Sequence, residues 1–150
     1  MSLEEQVNAD IKKAMLAKDS KTLEALRAVK ASLLLVKTGK ESKDGEVSKD
    51  AEISLLQRLV KQRKESAEIY LNQERKELAE VELFQVEVIQ KYLPEQISED
   101  VLGKIIEEII QETGASSMKD MGKVMALTSQ KLAGKAESKQ IAAMVKSKLS

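Results

Sequence analysis

A single proline, Pro94, interrupts a chain of 150 residues. Alanine, leucine, glutamate and lysine dominate the chain as a whole, and all of them favour helix. Aromatic residues make up 2% of the chain: Tyr70, Phe84 and Tyr92. This composition predicts an all-α protein. Proline biases the residue before it, Leu93, out of the helical region. "YLPEQIS" (Tyr92 to Ser98) should therefore end one helix. Ser98 should cap the next, with Glu99 and Asp100 in a first turn where the helix dipole favours acids. The expected architecture is two-lobed: a four-helix N-terminal lobe over 1–93 and a small three-helix C-terminal lobe over 94–150. A lobe as small as the second is marginal alone and is expected to lean on its neighbour or on a partner.

Apolar periodicity places the helices. The first spans about Ser2 to Leu16, with a capping-box spacing at Ser2 and Glu5 and Val7, Ile11 and Met15 as its buried stripe. The second spans about Ser20 to Lys37, buries Leu23, Leu26, Val29, Leu33 and Val36, and stops at Gly39. "TGKESKDGEVSKD" (Thr38 to Asp50) reads as a polar loop. The third helix spans about Lys49 to Asn72 and buries Ile53, Leu56, Leu59, Val60 and Ala67, with "KQRKES" on its charged side. The fourth spans about Arg75 to Lys91, and its apolar residues are Leu78, Val81, Phe84, Val88 and Ile89. The third and fourth are nearly continuous and should form either an antiparallel pair or one kinked rod. Helix five, about Glu99 to Thr113, has a wide apolar face that includes Val101 and ends at Gly114. Helix six spans about Ser117 to Gln130, with capping-box spacing at Ser117 and Asp120 and with Met118, Met121 and Met125 on its core side. Helix seven spans about Ser138 to Leu149.

Several function classes are excluded by what the chain lacks. There is no cysteine and no histidine. Thiolate catalysis, Ser-His-Asp or Cys-His triads and the usual zinc sites are therefore impossible. The phosphate loop G-x-x-x-x-G-K-[ST] is missing. Glu107, Glu108 and Glu112 at helical spacing read as a solvated face. Lys123 could serve as a catalytic amine only if it were strongly desolvated. No catalytic residue, metal or cofactor is expected. The start, "MSLEEQVNAD", lacks the pattern of a signal peptide, and no apolar run approaches the roughly 18 residues of a membrane span. The expectation is a soluble, cytoplasmic protein with no membrane partner.

The 25 basic and 25 acidic residues cancel, but not locally. From Ala115 to Ser150 seven lysines face two acids, Asp120 and Glu137, a net +5, so the rest of the chain carries −5. Lys119, Lys123, Lys131, Lys135 and Lys139 make up most of that excess, and Lys119 and Lys123 share a helical face. Such a patch attracts polyanions whatever the total charge; its ordinary alternative is a solubilising surface. Gly114 and Gly134 suit left-handed positions after helices. Gly122 lies within helix six, at a cost of roughly 1 kcal/mol against alanine. It implies either close helix packing or close approach of a phosphate backbone. Arg27, Lys30, Lys37 and Lys40 form a second basic stretch, read first as a solvated helix face.

"YLPEQISEDVL", "GASSMKDMGKVM" and "LAGKAESKQIAAMV", in this order and spacing, closely resemble the YqeY-like family. "ADIKKAMLAKDSKTLEALRAVKASL" and "LVKQRKESAEIY" extend the resemblance over essentially the whole chain. The family is similar to the C-terminal tail of the B subunit of glutamyl/aspartyl-tRNA amidotransferase, which packs against tRNA outside the active site. The amidotransferase chemistry belongs to other domains, an amidase subunit and a magnesium-binding cradle, and this chain is too short to hold either. The resemblance therefore implies tRNA handling without implying an amidotransferase reaction. One departure is Glu137, where the family often has Asp; Ser138 is expected to take over as cap of helix seven. The leading expectation is an accessory tRNA-binding module using Lys119, Lys123, Lys131, Lys135 and Lys139. The alternatives are a helical adaptor that binds a protein partner through helix five, and a non-catalytic subunit of a glutamine-dependent amidotransferase, a carbon–nitrogen ligase. Without aromatics in the C-terminal lobe to stack on bases, recognition would rest on lysine–phosphate contacts and RNA shape.

Overall fold

The structure, a computed structural model, describes residues 2–39 and 46–150. Every regular element among them is helical: α1 (Leu3–Leu16), α2 (Ser20–Thr38), α3 (Lys49–Asn72), α4 (Lys76–Gln90), α5 (Glu99–Thr113), a short 3-10 turn (Met118–Asp120), α6 (Met121–Lys131) and α7 (Ser138–Leu149). The chain divides into two compact units, one ending at Leu93 and one from Pro94 to Ser150. The basic residue Lys40, and residues 40–45 of the expected polar loop, lie outside the described residues.

In the N-terminal unit α2 packs against α1, α3 and α4, and α3 packs along α4. Val7, Leu26, Val29, Leu56 and Ile89 form its centre, each at most 1% exposed. The starts of α1 and α3 are set locally. The Ser2 hydroxyl accepts from the Glu5 amide at 3.2 Å and the Ser48 hydroxyl from the Ala51 amide at 3.1 Å, which satisfies donors that a helix start leaves free. Asp19 does the same for α2, accepting from the Thr22 amide and hydroxyl. Those two bonds, the hydroxyl first, hold its carboxyl below the usual range.

Both hairpins turn on residues other than glycine. Lys18 (φ 56°) joins α1 to α2, and Glu74 (φ 60°) joins α3 to α4. The left-handed region is uncommon for such residues. At Glu74 the turn is held by the Arg75 amide donating to the Tyr70 carbonyl at 2.8 Å. Of the two expected forms, α3 and α4 take the antiparallel pair. Arg63 and Gln85, eleven residues either side of Glu74, meet across it, with Arg63 Nε donating to Gln85 Oε1 at 2.7 Å. Arg63 is therefore half-buried and does not share the solvated side expected for "KQRKES".

The apolar stripes are narrower than periodicity predicted. Met15, at the end of α1, is 56% exposed, and Leu78 and Val81 on α4 are also exposed. Their places on the buried side of α4 are taken by Ala79, Gln85 and Val86. Gly39 ends α2 in an extended conformation (φ −81°), not a left-handed one.

In the C-terminal unit α6 and α7 pack on α5 and on each other. Ile106, Val124 and Val145 are fully buried among Leu102, Ile109, Leu132, Ile141 and Leu149. The Ser98 hydroxyl accepts from the Val101 amide at 3.3 Å, and Gly114 (φ 71°) closes α5 in the left-handed conformation. Val101, expected in the α5 face, is exposed.

Candidate functional site

Helix α6, which carries the start of the basic stretch, begins about one turn later than the Ser117 expected from the sequence. Ser117 makes no side-chain cap; Met118–Asp120 winds as a 3-10 turn, and Asp120 Oδ2 accepts from the Ser116 amide at 3.1 Å. The helix proper starts at Met121, so Gly122 sits in its first turn, not in its middle. A Cβ at Gly122 would meet nothing within 4 Å. Close helix packing, the ordinary explanation for this glycine, is therefore excluded within the described residues. Met121 and Met125 pack on the core and Met118 is exposed. Thr128 is fully buried with its hydroxyl donating to the Val124 carbonyl at 2.7 Å, so its polar group needs no outside partner.

The two motifs that flank this unit meet. Gln96 Nε2 donates to the Gly134 carbonyl at 2.7 Å, and the Ile97 amide to the Lys135 carbonyl at 3.0 Å. Gly134 has the left-handed φ (77°) expected of it. The "LPEQ" segment thus fixes the backbone of the "AGKA" turn, while the Lys135 side chain is exposed. Helix α7 begins at Ser138 with Glu137 as its N-cap residue and no side-chain cap bond. Ser138 is the first helical residue and does not take over the capping role.

All five sequence-selected lysines are exposed, but they do not form one cluster. Lys119 and Lys123 lie at the start of α6. Lys131 ends it, roughly 12 Å from Lys123 at the helical rise. Lys135 and Lys139 flank the turn into α7. Lys131 Nζ lies 3.8 Å from Glu108 Oε2 on α5, and Lys148 of α7 pairs with Glu107 on the same helix. Lys119, Lys123, Lys135 and Lys139 have no ion pair among the described residues.

Charge counting by unit changes the sequence picture. The N-terminal unit holds 17 basic and 17 acidic residues, and the C-terminal unit eight of each. The −5 that balances the lysine stretch therefore sits in 94–114 of the same unit, mostly on α5. Lys131 and Lys148, at the seam with α5, are each paired with one of its acids; Lys119, Lys123, Lys135 and Lys139 have no such pair among the described residues. In the second basic stretch, Lys37 is paired with Glu4 at 3.3 Å.

No group of three or more acidic side chains that could hold a metal ion occurs among the described residues. No described helix is long and apolar enough to cross a membrane.

Comparison with known proteins adds two findings. The family model described as "Yqey-like protein" matches residues 4–149. The "Altered inheritance of mitochondria protein 41, mitochondrial" of Clavispora lusitaniae is similar, 34% identical over 103 residues, which cover 66% of this chain and 58% of that protein. The match spans little more than half of that relative's length.

Proposed function

This chain belongs to the YqeY-like family, and on that premise we propose that it is an accessory tRNA-binding module without catalysis of its own. The carrying observation is the set of four exposed lysines, Lys119, Lys123, Lys135 and Lys139, that have no ion pair among the described residues, beside two neighbours that do. Uncompensated surface lysines set a local positive potential even on a neutral unit. Open space at Gly122, between Lys119 and Lys123, lets a phosphate backbone approach the first turn of α6 closely. The unit has no aromatic residue, so the binding mode is phosphate contact and shape on folded RNA, not base stacking.

The test is fluorescence anisotropy of labelled bulk tRNA against the full chain, from low to physiological salt, with duplex DNA of similar length as control. Four phosphate contacts predict preference for tRNA and a log–log salt slope of about −3 to −4. Absence of binding at low salt, where electrostatics are least screened, overturns the reading and leaves the lysines as a solubilising face.

A further inference from the structure

The N-terminal unit contains a cavity of about 430 Å³ that the reading above does not use. It lies between the first turns of α2 and the N-terminal part of α4. Its volume falls within the range of small-molecule sites, roughly 300–1,000 Å³. Three carboxylates line it, Glu24, Glu77 and Glu80, against one ammonium, Lys21, so the lining carries −2. Val81, Phe84 and Gln85 complete it. Val81 is 47% exposed and Phe84 is half-buried, so apolar surface is open to a ligand.

Ion pairs do not cancel this charge. Glu24, Glu77, Glu80 and Lys21 have none among the described residues, and Lys21 also faces Asp19 at the start of α2. Glu77 and Glu80 are three apart on one helix, neighbours of like sign, an arrangement that costs stability. No group of three or more acidic side chains placed to hold a metal ion occurs among the described residues. The negative charge is therefore spread around the cavity and not gathered at one point. Gln85 supplies an independent sign of a ligand. It is 9% exposed, and Arg63 Nε donates to its Oε1 at 2.7 Å from α3. Its Nε2 makes no hydrogen bond among the described residues. Buried side-chain donors are rarely left unpaired. With the oxygen held on the α3 side, the amino group is what Gln85 can offer the cavity.

We propose that this cavity binds a small organic cation. Its ammonium head sits among Glu24, Glu77 and Glu80, its apolar body covers Val81 and Phe84, and an acceptor atom on it takes the Gln85 amino group. The site is independent of RNA binding by the C-terminal unit, and either can fail without the other.

The experiment is amide-resolved NMR titration of the full, isotopically labelled chain with four probes of similar size: phenylethanolamine, phenethylamine, phenethyl alcohol and phenylacetate. Phenylethanolamine, which carries ammonium, ring and hydroxyl acceptor, is expected to move the Glu24, Val81, Phe84 and Gln85 amides saturably, at roughly millimolar affinity for so small a probe. Phenethylamine lacks the acceptor and should bind more weakly; the neutral alcohol and the anion should bind more weakly still. The Glu77→Gln, Glu80→Gln double variant should lose about tenfold in affinity, or about 1.4 kcal/mol. Both side chains are exposed, and their removal relieves a like-charge pair, so the fold is expected to hold, as the same spectra will report. Lys21→Gln should act in the opposite direction and tighten binding about two- to threefold, a gain that damage to the fold would not produce. The proposal is overturned if phenylethanolamine does not saturate at these amides, if phenethyl alcohol or phenylacetate binds there as well as it does, if phenethylamine binds as tightly, or if the substitutions leave cation binding unchanged.

Discussion

In the N-terminal unit the basic excess of α2 packs beside the acidic excess of α4, whereas in the C-terminal unit six of eight acids precede Ala115 and seven of eight lysines follow it. Both units sum to zero. In the first, opposite charges lie on packed helices around a central α2. In the second, α5 meets the basic α6 and α7 along a seam where Glu107 and Glu108 neutralise Lys148 and Lys131. Lysines beyond that seam are left over. Net charge therefore says little about what a surface can bind; the placement of each sign relative to the packing seam says more.

Differences in core size sharpen the contrast. Ile106 is fully buried in the 57-residue C-terminal unit. Ile106→Ala should cost about 2–5 kcal/mol, comparable to the roughly 3–5 kcal/mol that so small a core supplies. Hydrogen-exchange protection should collapse in α5–α7 and persist in α3 and α4. Equal loss in both would break the comparison by making the two units one cooperative body.

The charge contrast is tested next. Lys123→Glu with Lys135→Glu should lower tRNA affinity at least about tenfold at low salt, while circular dichroism is unchanged because both side chains are exposed. The seam pair, Lys131→Gln with Lys148→Gln, should cost only about two- to threefold, since those charges are already met by α5. Equal effects would show that the seam does not decide which lysines act.

Tyr92 gives a smaller effect confined to the N-terminal unit. Burial first, then the Asp10 carboxylate that accepts its hydrogen bond, raise its phenol above the ordinary range. A raised folded-state value means that stability is fully present below the unfolded tyrosine value, about 10, and is lost as pH rises beyond it toward the folded value. Tyr92→Phe should cost about 1 kcal/mol at neutral pH and remove that part of the alkaline loss, read as the difference between the two chains in denaturant melts above about pH 10.

The smallest effect is at Gly122. Alanine there meets open space, so Gly122→Ala should stabilise α6 by up to about 0.5–1 kcal/mol. If a phosphate backbone approaches this turn, the same variant weakens tRNA binding in the anisotropy assay. Unchanged binding would remove Gly122 from the site and leave the lysines alone.

The sequence by itself determined the seven helices, because their signals are local. Ser2 and Ser98 cap within three residues of themselves, Gly114 ends α5 by its own φ, and Pro94 restricts the residue before it. The positions of the five lysines and their exposure were likewise legible. What depended on tertiary structure involves partners distant in sequence. Periodicity marks an apolar stripe but not how much of it a neighbour covers, so Met15, Leu78, Val81 and Val101 were read as apolar-face residues yet are exposed. The left-handed turns at Lys18 and Glu74 carry no glycine to announce them. Asp10 and Tyr92 are 82 positions apart, and Gln96 and Gly134 are 38. Glu108 and Glu107 choose Lys131 and Lys148 only once α6 and α7 have packed on α5. An electrostatic pair depends on separation in space, which chain order leaves open until the helices close on one another.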